Sequence, residues 1–154
     1  MKLTKYINIR QGSRSCRRFS NGNTLPLCQM PFGMTAFAPQ TQGNDSWYFN
    51  PDFPVCEGLR LTHQPSPWIG DHGTLLFCPQ ADILGDTPSA AYSGYRPSDA
   101  VFAPDCISLY MLRPRCRFSV TVSERSARLR AEFDQSDMEN TCRYLTSWAT
   151  AALR

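Results

Sequence analysis

Between residues 107 and 133, apolar side chains fall at every second position of the chain. Ile107, Leu109 and Met111 alternate with Ser108, Tyr110 and Leu112, and Phe118, Val120 and Val122 with Ser119, Thr121 and Ser123. Ala127, Leu129, Ala131 and Phe133 alternate in the same way with Arg128, Arg130 and Glu132. Successive side chains of a strand point to opposite faces, so each run has one face for a core and one for water. Three such runs on short connections predict a half-buried antiparallel meander. Shorter apolar runs upstream predict further strands over residues 3–9, after Gly33, over Leu59–Thr62 and over Thr74–Cys78. Residues 11–22, 39–58 and 79–100 between them are punctuated by Gly, Pro and polar side chains and read as loops. The fold class expected is all-β.

The tail follows a different period. Ser136-Asp137-Met138-Glu139 has the S-x-x-E form of a capping box, in which two side chains satisfy the first free N–H groups of a helix. Met138, Cys142, Leu145, Trp148 and Ala152 then recur at helical spacing. An amphipathic helix is therefore expected in residues 137–154, behind a β domain of residues 1–136.

With 154 residues the chain is long enough for one domain with a stable core. Hydrophobic residues make up 42 % and charged residues only 19 %, which excludes a mainly disordered chain. The formal net charge is a modest +3. Its sources are Arg14, Arg17 and Arg18, and a second set of Arg113, Arg115 and Arg117 whose period of two suggests one solvated strand face. Neither set has the aromatic interleaving of a nucleic-acid reader, and nucleic acid is not an expected partner.

Seven cysteines (Cys16, Cys28, Cys56, Cys78, Cys106, Cys116 and Cys142) are scattered singly, without a C-x-x-C pair. Zinc needs its ligands gathered into a tetrahedron, so most of these thiols are expected to act as small core side chains. The N-terminus has no apolar run of signal-peptide length, and no segment is long enough to span a membrane. A cytoplasmic, reducing compartment is the expectation.

Candidate binding chemistry concentrates in T-H-Q-P-S-P-W-I-G-D-H-G, residues 62–73. Two prolines and two glycines exclude a regular element there, because proline lacks the N–H and glycine weakens helix and strand alike. Trp68 beside His63 and Asp71 would suit a sugar, which offers an apolar C–H face and a rim of hydroxyls. The plainer reading stands beside it: Trp68 fills the core, Asp71 closes an Asx-turn, and His63 is a buried, hydrogen-bonded residue. No carboxylate pair suggests itself for catalysis; Asp71, Asp99 and Asp105 are the only acids in loops rich in other candidate residues.

Several of these segments resemble the N-terminal domain of glycoside hydrolase family 92, the calcium-dependent exo-α-mannosidases. They are F-S-N-G-N-T-L-P-L (Phe19–Leu27), M-P-F-G-M (Met30–Met34) followed by A-P-Q-T (Ala38–Thr41), G-L-R-L-T-H-Q-P-S-P-W-I-G-D-H-G (Gly58–Gly73) and Y-R-P-S-D-A-V-F-A-P (Tyr95–Pro104). The resemblance covers roughly residues 3–136 and implies an antiparallel β-sandwich, part of a supersandwich, that precedes an (α/α) barrel. In that family the barrel carries the acid and base carboxylates and most of the calcium ligands. The mechanism is inverting: one carboxylic acid protonates the leaving oxygen and another carboxylate activates water. For this chain the resemblance implies an α-mannoside as ligand, the barrel as partner and calcium as cofactor of the complete enzyme only. No catalytic residue or metal ligand is assigned here. Trp68, His63, Asp71, Asn23 and Thr24 are the substrate-binding candidates. The chain ends before a barrel begins and is expected to be inactive alone; the alternative is a free-standing carbohydrate-binding or interaction domain.

Overall fold

The computed structural model describes residues 3–14, 24–41, 48–63, 75–81, 92–134 and 140–146. Eleven strands run through them. In chain order they are β1 (Cys28–Gln29), β2 (Ala36–Gln40), β3 (Val55–Cys56), β4 (Gly58–Thr62), β5 (Leu75–Ala81), β6 (Ser93–Gly94), β7 (Val101–Ala103), β8 (Cys106–Met111), β9 (Cys116–Val122), β10 (Ala127–Phe133) and β11 (Asn140–Thr146). They make a five-stranded sheet in the order β1-β2-β4-β5-β11, a four-stranded sheet in the order β10-β9-β8-β7, and the small pair β3-β6. Every pairing is antiparallel.

The two larger sheets form a sandwich around one core. Phe37 and Leu59 of the five-stranded sheet are buried in the same cluster as Ile107, Leu109, Met111, Phe118 and Val120 of the four-stranded one. Each fully buried Leu, Ile, Val, Met or Phe contributes about 1.5–3 kcal/mol. The alternation in β8, β9 and β10 works as the sequence predicts. Leu109 stands opposite Phe118, which stands opposite Ala131. Residues opposite each other share a face, so one row of apolar side chains crosses three strands.

A second, smaller cluster joins Leu25, Ala38, Tyr48 and Phe49. Arg60 lies over the Tyr48 ring at 4.2 Å and donates through Nη1 to Gln40 Oε1 at 3.0 Å. The buried β2 and β4 are thus flanked by a polar network as well as by the core. β4 begins on glycine for a steric reason: Gly58 has φ +153°, and a Cβ there would lie 2.4 Å from the Phe77 carbonyl oxygen and 2.8 Å from Cys78 Sγ.

Four expectations change. The strand expected over residues 3–9 is instead a 3-10 turn at Leu3–Tyr6, with Leu3, Tyr6 and Ile7 exposed, and among the described residues no strand pairs with that segment. The expected tail helix is a strand where it is described: β11 pairs with β5 in register from Asn140↔Ala81 to Thr146↔Leu75. A sheet edge leaves a row of N–H and C=O groups unpaired, and filling it outweighs a local helical pattern. Arg113 and Arg115 lie in the turn between β8 and β9, so only Arg117 is on a strand face. The segments read as loops also contain β3 and β6, two-residue pieces too short to show a period. Among the described residues no helix is long and apolar enough to cross a membrane.

Candidate functional site

One end of the sandwich gathers the features that suit recognition. There the β1–β2 connection, Met30-Pro31-Phe32-Gly33-Met34-Thr35, meets the hairpin between β9 and β10. Gly33 N–H donates to the Met30 carbonyl at 2.8 Å, Gln29 Nε2 donates to the Gly33 carbonyl at 2.6 Å, and Met34 N–H donates to the Glu124 carbonyl at 2.7 Å. Phe32 sits at the tip with φ +59°, a left-handed conformation unfavourable for a bulky residue, and its side chain is fully exposed. Met34 beside it is 70 % exposed. An apolar tip held in a strained backbone by three hydrogen bonds is a feature that folding alone does not require.

Next to that tip a groove of about 580 Å³ opens between the sheets. Phe37, Leu61 and Phe77 line its sheet side, Ala127 and Leu129 the opposite side, and His63 and Arg125 supply its basic groups. The Phe37 and Phe77 rings lie 6.0 Å apart, tilted by 43°. The strand register explains the position of His63. It follows Thr62, which pairs with Ala36 at the start of β2. The chain therefore leaves the sheet at His63 beside the Met30–Thr35 connection, and the side chain is exposed.

Thr24 is half-buried against Gly12, where a Cβ would meet its Oγ1 at 2.4 Å. It adjoins Leu25, which packs with Ala38, Tyr48 and Phe49; His63 lines the groove and Thr24 is not among its described lining residues. Trp68, Asp71 and Asn23 lie outside the described residues. Asp99 ends the short 3-10 turn Pro97–Asp99 and pairs with Arg96 at 3.8 Å; Asp105 is in the tight turn between β7 and β8. Sequence reasoning missed Phe32 and Arg125. The P-F-G triplet, an aromatic between two turn-forming residues, was the available signal for Phe32.

Among the described residues the groove lining has no carboxylate, whereas inverting glycoside hydrolysis needs an acid and a base. Burial pushes Cys28 and Cys56 up to about 12, so these two thiols stay neutral at physiological pH. Tyr110 is also pushed up, first by the hydrogen bond it donates to Asp134. Among the described residues no three His, Cys, Asp or Glu side chains gather to hold a metal ion.

Comparison with known proteins places the fold. The family model for the glycosyl hydrolase family 92 N-terminal domain matches residues 6–150. The chain belongs to glycosyl hydrolase family 92. The match includes β11. Among solved structures, the family 92 inverting mannosidase BT2199 of Bacteroides thetaiotaomicron is similar with a TM-score of 0.81 and 27 % identity, over 92 % of this chain and 20 % of that one. The family 92 α-mannosidase BT3965 of the same organism, in complex with mannoimidazole, shares the fold at a TM-score of 0.72 and 23 % identity, over 89 % of this chain and 19 % of its own. The family 92 glycosyl hydrolase ccman5 shares it at 0.68 and 15 % identity, over 93 % and 20 %. The chain thus spans about a fifth of the length of these structures. No curated protein matches it.

Proposed function

We propose that this chain is the N-terminal domain of an exo-α-mannosidase and that the end of the sandwich bearing Phe32, Met34 and His63 faces the rest of that enzyme. The observation that carries the reading is the fully exposed Phe32, held at φ +59° beside an apolar groove. Such a patch on a lone domain marks an interaction surface. The complete enzyme is calcium-dependent and inverting in this reading, with both the reacting carboxylates and the metal ligands outside this chain. His63, Trp68, Asp71, Asn23 and Thr24 contribute to the α-mannoside pocket from the N-terminal side. The free thiols, Cys28 and Cys56 among them, suit a reducing compartment such as the cytoplasm.

A reconstitution experiment tests this. The chain is mixed with a separately produced catalytic portion of the 27 %-identical mannosidase, and hydrolysis of an aryl α-mannoside is followed with and without calcium. Each part alone is expected to be inactive and the mixture active. Phe32→Ser should weaken association at least tenfold while leaving the fold intact. Association that ignores Phe32→Ser and Met34→Ser would refute the proposed orientation. Hydrolysis by the chain alone would refute the assignment of catalysis elsewhere.

A further inference from the structure

We infer that the solvent face of the β7–β10 sheet is a docking surface for a carboxylate-bearing polysaccharide. The register builds this face. Tyr110 stands opposite Arg117, which stands opposite Glu132; Ser119 stands opposite Arg130, and Thr121 opposite Arg128. Opposite residues share a face, so three guanidinium groups and two hydroxyls are displayed across neighbouring strands. Arg117, Thr121, Arg128 and Arg130 are all exposed.

The charges on this side do not cancel. Arg96 pairs with Asp99 at 3.8 Å, Arg130 pairs with Glu132 at 2.6 Å, and Asp134 accepts the Tyr110 hydroxyl. Among the described residues Arg115, Arg117 and Arg128 have no carboxylate within ion-pair distance. Arginine presents a planar fork that takes a carboxylate through two hydrogen bonds, and Arg130 already holds Glu132 on this face. Ser119 and Thr121 between the arginines can hydrogen-bond sugar hydroxyls.

Nucleic acid fits less well. Sequence-tolerant binding of single strands stacks bases on open aromatic faces, and Tyr110, the aromatic on this face, has Arg117 over its ring at 5.9 Å. The sugar part of the assignment rests on membership of a glycosyl hydrolase family; the surface lies apart from the groove, so the reconstitution experiment and this one fail independently.

The test measures binding of the intact chain to polygalacturonate at 50 mM and 300 mM salt. Neutral dextran, phosphorylated dextran and a single-stranded oligonucleotide of equal charge serve as comparisons. Binding to polygalacturonate is expected, weakening at least tenfold at the higher salt as screening shortens the reach of the charges. The combined Arg117→Gln, Arg128→Gln, Arg130→Gln variant, all at exposed sites, should lose at least tenfold in affinity with an unchanged circular dichroism spectrum. Arg14→Gln, away from this face, should bind like the parent. Absence of binding at 50 mM salt, or an unaffected triple variant, would overturn the proposal. Tighter binding to the oligonucleotide or to phosphorylated dextran would overturn the choice of a carboxylate polysaccharide.

Discussion

The four-stranded and five-stranded sheets bury one core but are assembled in different ways. In the sheet β10-β9-β8-β7 each strand pairs with its neighbour in sequence through a short turn. In the sheet β1-β2-β4-β5-β11 the last strand returns from residue 140 to pair with one ending at residue 81. Closing such a loop costs chain entropy before any contact repays it. The local sheet can announce itself through alternation alone, because its register is set by adjacent turns and a single apolar face. The distant sheet is held by partners that no local window contains.

The largest expected effect tests whether the two sheets are one cooperative unit. Phe118→Ala removes the ring between Leu109 and Ala131, and Leu59→Ala removes a fully buried side chain paired with Pro39 and Phe77. Costs of about 3–5 and 2–5 kcal/mol are expected, respectively. Urea unfolding followed by circular dichroism should show one transition shifted by either change. Two transitions, each moved by only one mutation, would mean that the sheets unfold separately.

Next comes backbone strain at the start of β4 in the distant sheet. Gly58→Ala must place a Cβ against the Phe77 carbonyl at a φ that L-residues avoid. A loss of at least about 1–3 kcal/mol is expected from strain alone. An alanine variant as stable as the parent would show that β4 and β5 can shift apart. Gly94→Ala in the small pair meets Leu112 Cδ1 only at 3.3 Å, the far end of a flexible side chain, and should cost less.

The pH dependence separates the sheets less sharply. Cys56 beside β4 and Cys28 in β1 are held at about 12 against an ordinary 9.0, chiefly by burial. A folded-state pKa above the unfolded one means that the unfolded chain releases its proton first. Stability is therefore whole below pH 9 and falls as the pH rises from 9 towards 12. Unfolding midpoints between pH 7 and 11 should show this decline, and Cys56→Ala should flatten it. A midpoint that holds to pH 11 would contradict the burial of these thiols.

The smallest effect is expected at the surface. Arg14 and Asp52 form an ion pair at 3.0 Å with side chains 78 % and 54 % exposed. Water and salt screen such a pair, and Arg14→Ala should change stability by under about 1 kcal/mol. A larger loss in urea unfolding would mean that the turn around Asn50–Asp52 is tied into the core.

The candidate site was legible only in part. His63 could be named because a Pro- and Gly-rich stretch follows a brief apolar run, and strand β4 does end just before it. Phe32 could not, since an aromatic between proline and glycine is as often a buried anchor as an exposed tip. Its exposure depends on Met34 being tied to Glu124, which lies 90 positions away. Arg125 enters the groove for the same reason, through the packing of the β9–β10 hairpin against the other sheet.

By itself the sequence determined the all-β class, the meander of residues 107–133 and, among the described residues, Cys28, Cys56, Cys78 and Cys116 as core side chains, through local alternation and solubility. The family resemblance, too, was readable from short motifs in order. Only the tertiary structure decided that residues 140–146 extend along β5 rather than coil into a helix. Cys142 and Leu145 satisfy a helical spacing, but the same residues can form a strand, and β5 offers seven paired positions to one that arrives there. The period of a short segment states what it can do alone; the open sheet edge beside it settles what it does.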